Sequence, residues 1–195
     1  ELLMKYPELL GSSLLINNGG ELSFCKRIER TVDDIKKMAT QLRINSSEYS
    51  RGIQSCRDHK SLQKLHDNYV EKINNLSVDN FSRIKFIAPL EGNDYIIPIS
   101  NSYNLYIEGQ VMHHCIYSYE EDIENGVYFV FKVLKPERAT LGLKIDRSSS
   151  PVKIEIDEIQ RCWNQPVSDE TTLFIKEWFS KALALKNLKS GTYYL

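Results

Sequence analysis

The chain has 195 residues, 42% hydrophobic and 26% charged, a composition that excludes a fibre or a disordered tail and is enough to bury a core. Its 25 Lys and Arg nearly balance 26 Asp and Glu, and a formal net charge of −1 argues against a surface that is a nucleic-acid footprint throughout. The balance shifts mildly along the chain, from 14 basic against 11 acidic residues over 1–90 to 11 against 15 beyond, and a solvated surface accounts for a difference of that size.

Cys25, Cys56, Cys115 and Cys162 form no CxxC pair, so neither a zinc ribbon nor a redox motif is encoded, and the chain reads as a reduced, cytoplasmic protein. The longest apolar run, Val127 to Phe131, falls far short of the roughly 20 residues that cross a bilayer, so no membrane partner is expected. No signal peptide is visible; the chain opens on Glu1 instead of Met, as a fragment of a longer protein would.

Residues 1–30 place Leu2, Leu3, Leu9, Leu10, Leu14, Leu15 and Ile16 around Pro7 and Asn17-Asn18-Gly19-Gly20, which predicts short helices about a turn. Thr31 precedes a helical stripe of Val32, Ile35, Met38 and Leu42, with Asp33 and Asp34 in its first turn. Ser61 opens a second helix through Leu62, Leu65, Tyr69, Ile73 and Leu76. Ile84–Ile87 and Tyr95–Ile97 predict a hairpin closed by Glu91-Gly92-Asn93-Asp94, with Pro98 making its second strand an edge or an end.

From Leu105 the period turns helical: Leu105, Gly109, Met112, Ile116, Tyr119 and Ile123 form one stripe, and Asn125-Gly126 supplies the stop. Three strands at 127–134, 139–146 and 152–158 follow, joined by connections too short for parallel crossovers. A final helix over 169–188 carries Leu173, Phe174, Trp178, Phe179, Ala182 and Leu183. The expected class is α+β, with a helical region over 1–83 and, over 84–195, a helix packed on an antiparallel sheet and a C-terminal helix.

Chemistry concentrates in Glu108–Tyr119, which holds two imidazoles, a thiol, two phenols and a carboxylate. On one continuous helix Glu108, Cys115 and Tyr119 lie along one edge of the stripe, while His114 diverges by about 100° from Cys115. A Cys–His nucleophilic pair then needs a break in that helix, or His59, His66 or His113 brought in by the fold. The plainer reading is a buried thiol packing as a small hydrophobe. His113, His114, Cys115 and Cys162 offer metal-type ligands at no zinc spacing, so neither a metal nor another cofactor is expected.

A second cluster, Glu158–Pro166, is read as following the third strand. Gln160 and Asn164 bring amides that both donate and accept, and Arg161 with Trp163 brings a cation and a stacking face suited to single-stranded nucleic acid. The alternative is Trp163 in the core and the amides tying down a loop. Glu155 and Asp157 share one strand face with Glu158 on the other, which favours a solvated face over a metal-dependent nuclease.

Glu108-Gly109, Met112, His114-Cys115, Tyr119, Gly126, Ala139-Thr140, Gln160 and Asn164, over about residues 101–170, resemble the pattern of PcfJ-like proteins, a family of conjugative plasmids and other mobile elements. The resemblance implies an accessory protein of plasmid conjugation or a similar element. Its expected partner is single-stranded nucleic acid or a protein of a transfer or processing complex, bound through Glu108, Tyr119, Thr140, Gln160, Arg161, Trp163 and Asn164. The alternative is an enzyme with Cys115 as nucleophile, assisted by His114, in a pocket shared with Thr140, Gln160 and Asn164.

Overall fold

A computed structural model describes residues 2–10, 13–15, 22–75 and 84–189. The chain divides into two compact units, Glu1–Ser77 and Val78–Leu195.

The first unit is helical: α1 (Leu2–Lys5), α2 (Leu22–Gln41), α3 (Ser46–Ser55) and α4 (His59–Asn74), with single 3-10 turns at Pro7–Leu9 and Ser13–Leu15. The expected short N-terminal helices are present; the turn at 17–20 and Leu76 lie outside the described residues. Thr31 does not open a helix. It sits inside α2, with its hydroxyl donating back to the Arg27 carbonyl at 2.9 Å, and so acts as an interior threonine and not as a cap. The stripe stands: Ile28, Val32, Ile35 and Met38 of α2 and Leu62, Tyr69 and Ile73 of α4 are buried, and the two helices pack on each other. Ser61 is the third residue of α4, not its opener. Asp58 accepts its amide at 2.7 Å while the Ser61 hydroxyl accepts the Asp58 amide at 3.1 Å, a reciprocal capping box. Periodicity gave no warning of α3, a polar helix that buries only Ile53 and is capped by Asn45.

In the second unit an antiparallel sheet runs in the order β1 (Ile96–Pro98), β2 (Tyr128–Val133), β3 (Ala139–Asp146), β4 (Lys153–Arg161) and β5 (Gln165–Pro166). The three-strand meander is as the short connections predict, and Pro98 ends an edge strand. The 84–97 hairpin is not formed. Lys85 instead makes a single bridge to Asn101 beyond β1, while the Asn93 side chain accepts the Tyr95 and Ile96 amides and folds the intervening loop back on itself. β4 continues to Arg161, so Glu158, Gln160 and Arg161 belong to the strand and do not follow it.

The sheet is covered on both faces. Phe129 and Phe131 face α7 (Asp169–Lys189), where Phe131 meets Trp178 at 5.0 Å between ring centroids. Opposite them α5 (Ser102–Met112) lies on β3, and its buried Glu108 accepts the Thr140 hydroxyl at 2.6 Å.

The expected single helix over 105–124 is broken. α5 ends at Met112, and His113 takes the left-handed conformation (φ 52°, ψ 47°) usually left to Gly or Asn. The His114 amide then returns to the Gly109 carbonyl at 3.0 Å, a tight 3-10 turn follows at Ile116–Tyr119, and α6 (Glu120–Glu124) completes the segment. The apolar stripe survives because each piece turns the same side inward: Leu105, Met112, Ile116 and Ile123 are all buried. Gly126, at φ +67°, is the expected stop.

Met112 and Ile116 flank the break and are both buried, so Met112→Ala and Ile116→Ala should each cost about 2–5 kcal/mol. Urea unfolding followed by circular dichroism measures this; unchanged midpoints would mean that neither side chain holds the α5 segment to the sheet.

Candidate functional site

The break at His113 decides the geometry of the chemical segment. It delivers His114 and Cys115 from above, and Ile116 and Tyr119 from the 3-10 turn, onto the face of the sheet carrying Tyr128, Thr140, Gly142, Glu158 and Gln160. With Asn164 at the side, these residues line one cavity of about 30 Å³. Thr140 and Gln160 are direct partners in the β3–β4 register, which puts hydroxyl and amide side by side. His114 and Cys115 border the same space, so the divergence expected on an unbroken helix does not apply.

A β-bulge shapes the floor. The register passes from Gly142 opposite Glu158 to Leu143 opposite Ile156, leaving Asp157 as the extra residue, and such bulges re-aim side chains. Strict alternation along β4, which put Asp157 and Glu158 on opposite faces, therefore fails at this point. Asp157 accepts the Tyr128 hydroxyl at 3.2 Å and pairs with Lys144 at 2.9 Å. Tyr128 reaches across Gly142: a Cβ there would lie 1.9 Å from the phenol oxygen, so only glycine admits it.

Glu108 does not line the cavity. Its side chain is fully buried, accepts from Thr140 and pairs with Arg138, with Lys132 at 4.0 Å. Arg138 also donates to the Ala139 carbonyl at 2.7 Å. Glu108 thus holds Thr140 from behind.

Burial pushes the pKa of His114, 4% exposed, below the ordinary 6.5, although its hydrogen bond to the Arg161 carbonyl opposes the shift. That bond, Nε2 to oxygen at 2.6 Å, settles the tautomer, because a carbonyl only accepts: Nε2 carries the hydrogen and Nδ1 keeps a lone pair. His113, by contrast, is exposed and stacks on Trp163 at 3.9 Å between centroids and 6° between planes. Trp163 is 60% exposed, which excludes the core role considered for it. Trp163 and Asn164 both have positive φ, 61° and 54°, an uncommon pair of non-glycine conformations at the point where Trp163 is exposed and Asn164 borders the cavity.

Arg161 bonds the Pro166 carbonyl at 2.9 Å and Glu137 at 3.4 Å, with about half of its side chain exposed. Glu137 also accepts from the Ser168 amide and from the Ser168 and Thr171 hydroxyls, which hold its carboxyl at about 2 and tie the β2–β3 turn to the start of α7. In the first unit Lys26 and Arg27 are exposed, whereas Lys36 is engaged by Glu8. Among the described residues of the second unit, no three His, Cys, Asp or Glu side chains bring ligand atoms together around one point. Arg138, Tyr128 and Gly142 escaped the sequence reading. Gly142 alone left a trace there, as a lone glycine in an apolar strand, which signals close approach.

The profile of the PcfJ-like protein family matches residues 31–173, and the chain belongs to that family. No curated protein and no solved structure matches it.

Since the folded state keeps His114 below 6.5, the unfolded chain takes up that proton first as the pH falls. The stability that His114 contributes is full above about pH 6.5 and is lost as the pH drops through the lowered value. His59 shifts in the same direction, so the comparison must be differential. Melting temperatures of the wild type should fall more steeply between about pH 7 and 5 than those of His114→Asn; parallel slopes would mean that His114 is not held neutral.

Proposed function

We propose that this PcfJ-like protein acts in the nucleic-acid transfer or processing of a mobile element, in the cytoplasm, by binding single-stranded nucleic acid or a protein of the transfer complex. One observation carries the reading: Trp163 is 60% exposed, backed by the stacked His113 and two residues along the chain from Arg161. A supported aromatic face with an adjacent cation suits an unpaired base, which offers a π-face whatever its identity. Size points the same way. The adjoining cavity, about 30 Å³, is small for a nucleobase, so in this reading the strand lies on the Trp163 rim. Among the described residues no helix is long and apolar enough to cross a membrane.

Few phosphate contacts are available, so binding should weaken only shallowly with salt. Labelled single-stranded oligonucleotides should bind more tightly than duplexes, and Trp163→Ala should lose about 1–3 kcal/mol for each stacked base. Fluorescence anisotropy at two salt concentrations measures both effects. No binding at low salt overturns the nucleic-acid reading and leaves a protein partner, whereas equal binding by Trp163→Ala overturns the stacking role of Trp163.

A second reading has its own support, since Cys115, His114, Thr140, Gln160 and Asn164 border one cavity. In it Cys115 is a nucleophile and the Gln160 and Asn164 amides stabilise developing negative charge. A reactive Cys115 alkylates in the native protein, faster as the pH rises through a lowered thiol pKa; labelling only after denaturation rules the nucleophile out.

A further inference from the structure

We propose that a second, larger cavity, beside the C-terminal part of α7, binds an apolar anion through Arg147 and Lys186: an aliphatic or aromatic body that ends in a carboxylate or a phosphate. The inference is independent of the Trp163 surface and of the reactivity of Cys115, and this cavity shares only Tyr128 with the smaller one.

The apolar body follows from the lining. The cavity holds about 490 Å³, within the roughly 300–1,000 Å³ of small-molecule sites, and is bordered by the segment before β1, the turn from β3 to β4 and Lys186 and Asn187 of α7. Ile123, Phe129 and Ile145 contribute to its wall and are buried, whereas Ile87 is 92% exposed and Val152 45%. Covering those two with the apolar part of a ligand removes hydrocarbon surface from water, which is favourable.

The anionic head follows from charge. Among the described residues Arg147 and Lys186 are the charged side chains of the lining, and no Asp or Glu belongs to it. Arg147 is held in place: its Nε donates to the Gly126 carbonyl at 2.8 Å, and a Cβ on Gly126, at φ +67°, would lie 2.2 Å from an Nη. Among the described residues no carboxylate forms an ion pair with either cation. The two also act on each other. Burial first, and the charge of Arg147 second, lower the pKa of Lys186 below its ordinary 10.5. One anionic group relieves two unpaired like charges beside an apolar cavity, and a guanidinium suits the oxygens of a carboxylate or a phosphate. A neutral or cationic guest with the same body gains nothing from the pair.

The test is isothermal titration of the whole chain with octanoate, octyl phosphate, octanol, octylammonium and acetate, the amphiphiles kept below micelle-forming concentrations. Octanoate, octyl phosphate or both should bind saturably; a preference between them identifies the head group and supports the proposal either way. Octanol and octylammonium should bind at least about tenfold more weakly, and acetate, which lacks the body, should not bind. Lys186→Gln should weaken the bound anion severalfold, whereas Lys186→Arg, which keeps the charge, should not. Should Lys186→Gln fail to fold, Val152→Glu, which sets a like charge at an exposed lining position, should also weaken the anion severalfold. Absence of saturable binding by either anion, octanol matching the anions, equal losses in the two Lys186 variants, or an unchanged affinity in folded Lys186→Gln or Val152→Glu would each overturn the proposal. Trp163→Ala should bind the anions as the wild type does, so the outcome is separate from that of the oligonucleotide experiment.

Discussion

A buried carboxylate organises the second unit. Glu108 projects from α5 into the sheet, accepts the Thr140 hydroxyl and pairs with Arg138, which reaches in from the β2–β3 turn. Taking a carboxylate out of water costs several kcal/mol, and only a partner with good geometry and further hydrogen bonds offsets it. Such a group tolerates little displacement. It therefore sets where α5 lies on β3, and through α5 where the chain must turn at His113.

The left-handed residue at His113 and the left-handed pair Trp163-Asn164 meet through the stack of His113 on Trp163. His113 stacks on Trp163, while His114 bonds the carbonyl of Arg161 just before it. Conformations of this kind cost of order 1–3 kcal/mol each and persist only where surrounding contacts hold them, most often at ligand sites. Here the contacts holding one bend come from the other, and strand end and helix end form one stiff rim.

Two surfaces of different character result within a few residues. Outside lies the exposed indole of Trp163, stacked on His113. Inside lies a small space bordered by a carboxylate, amides, phenols and a neutral imidazole. Both fall within the residues matched by the PcfJ-like family profile.

The sequence by itself determined the α+β class, the α2 and α4 stripes, the three-strand meander, the Pro98 edge and the Gly126 stop, because periodicity, turn residues and connection length act locally. It also brought together Cys115, Thr140, Gln160 and Asn164 as a group, through the family pattern. The break at His113 was hidden because the buried stripe runs through it without a change of period. The bulge at Asp157 and the length of β4 were hidden because they depend on which β3 residues stand opposite. Arg138 could not be distinguished from any turn arginine until a buried Glu108 stood within its reach. Which charges meet, which phenol needs a glycine beneath it and whether an indole faces water are set by contacts between residues distant in the chain, and only the tertiary structure decided them.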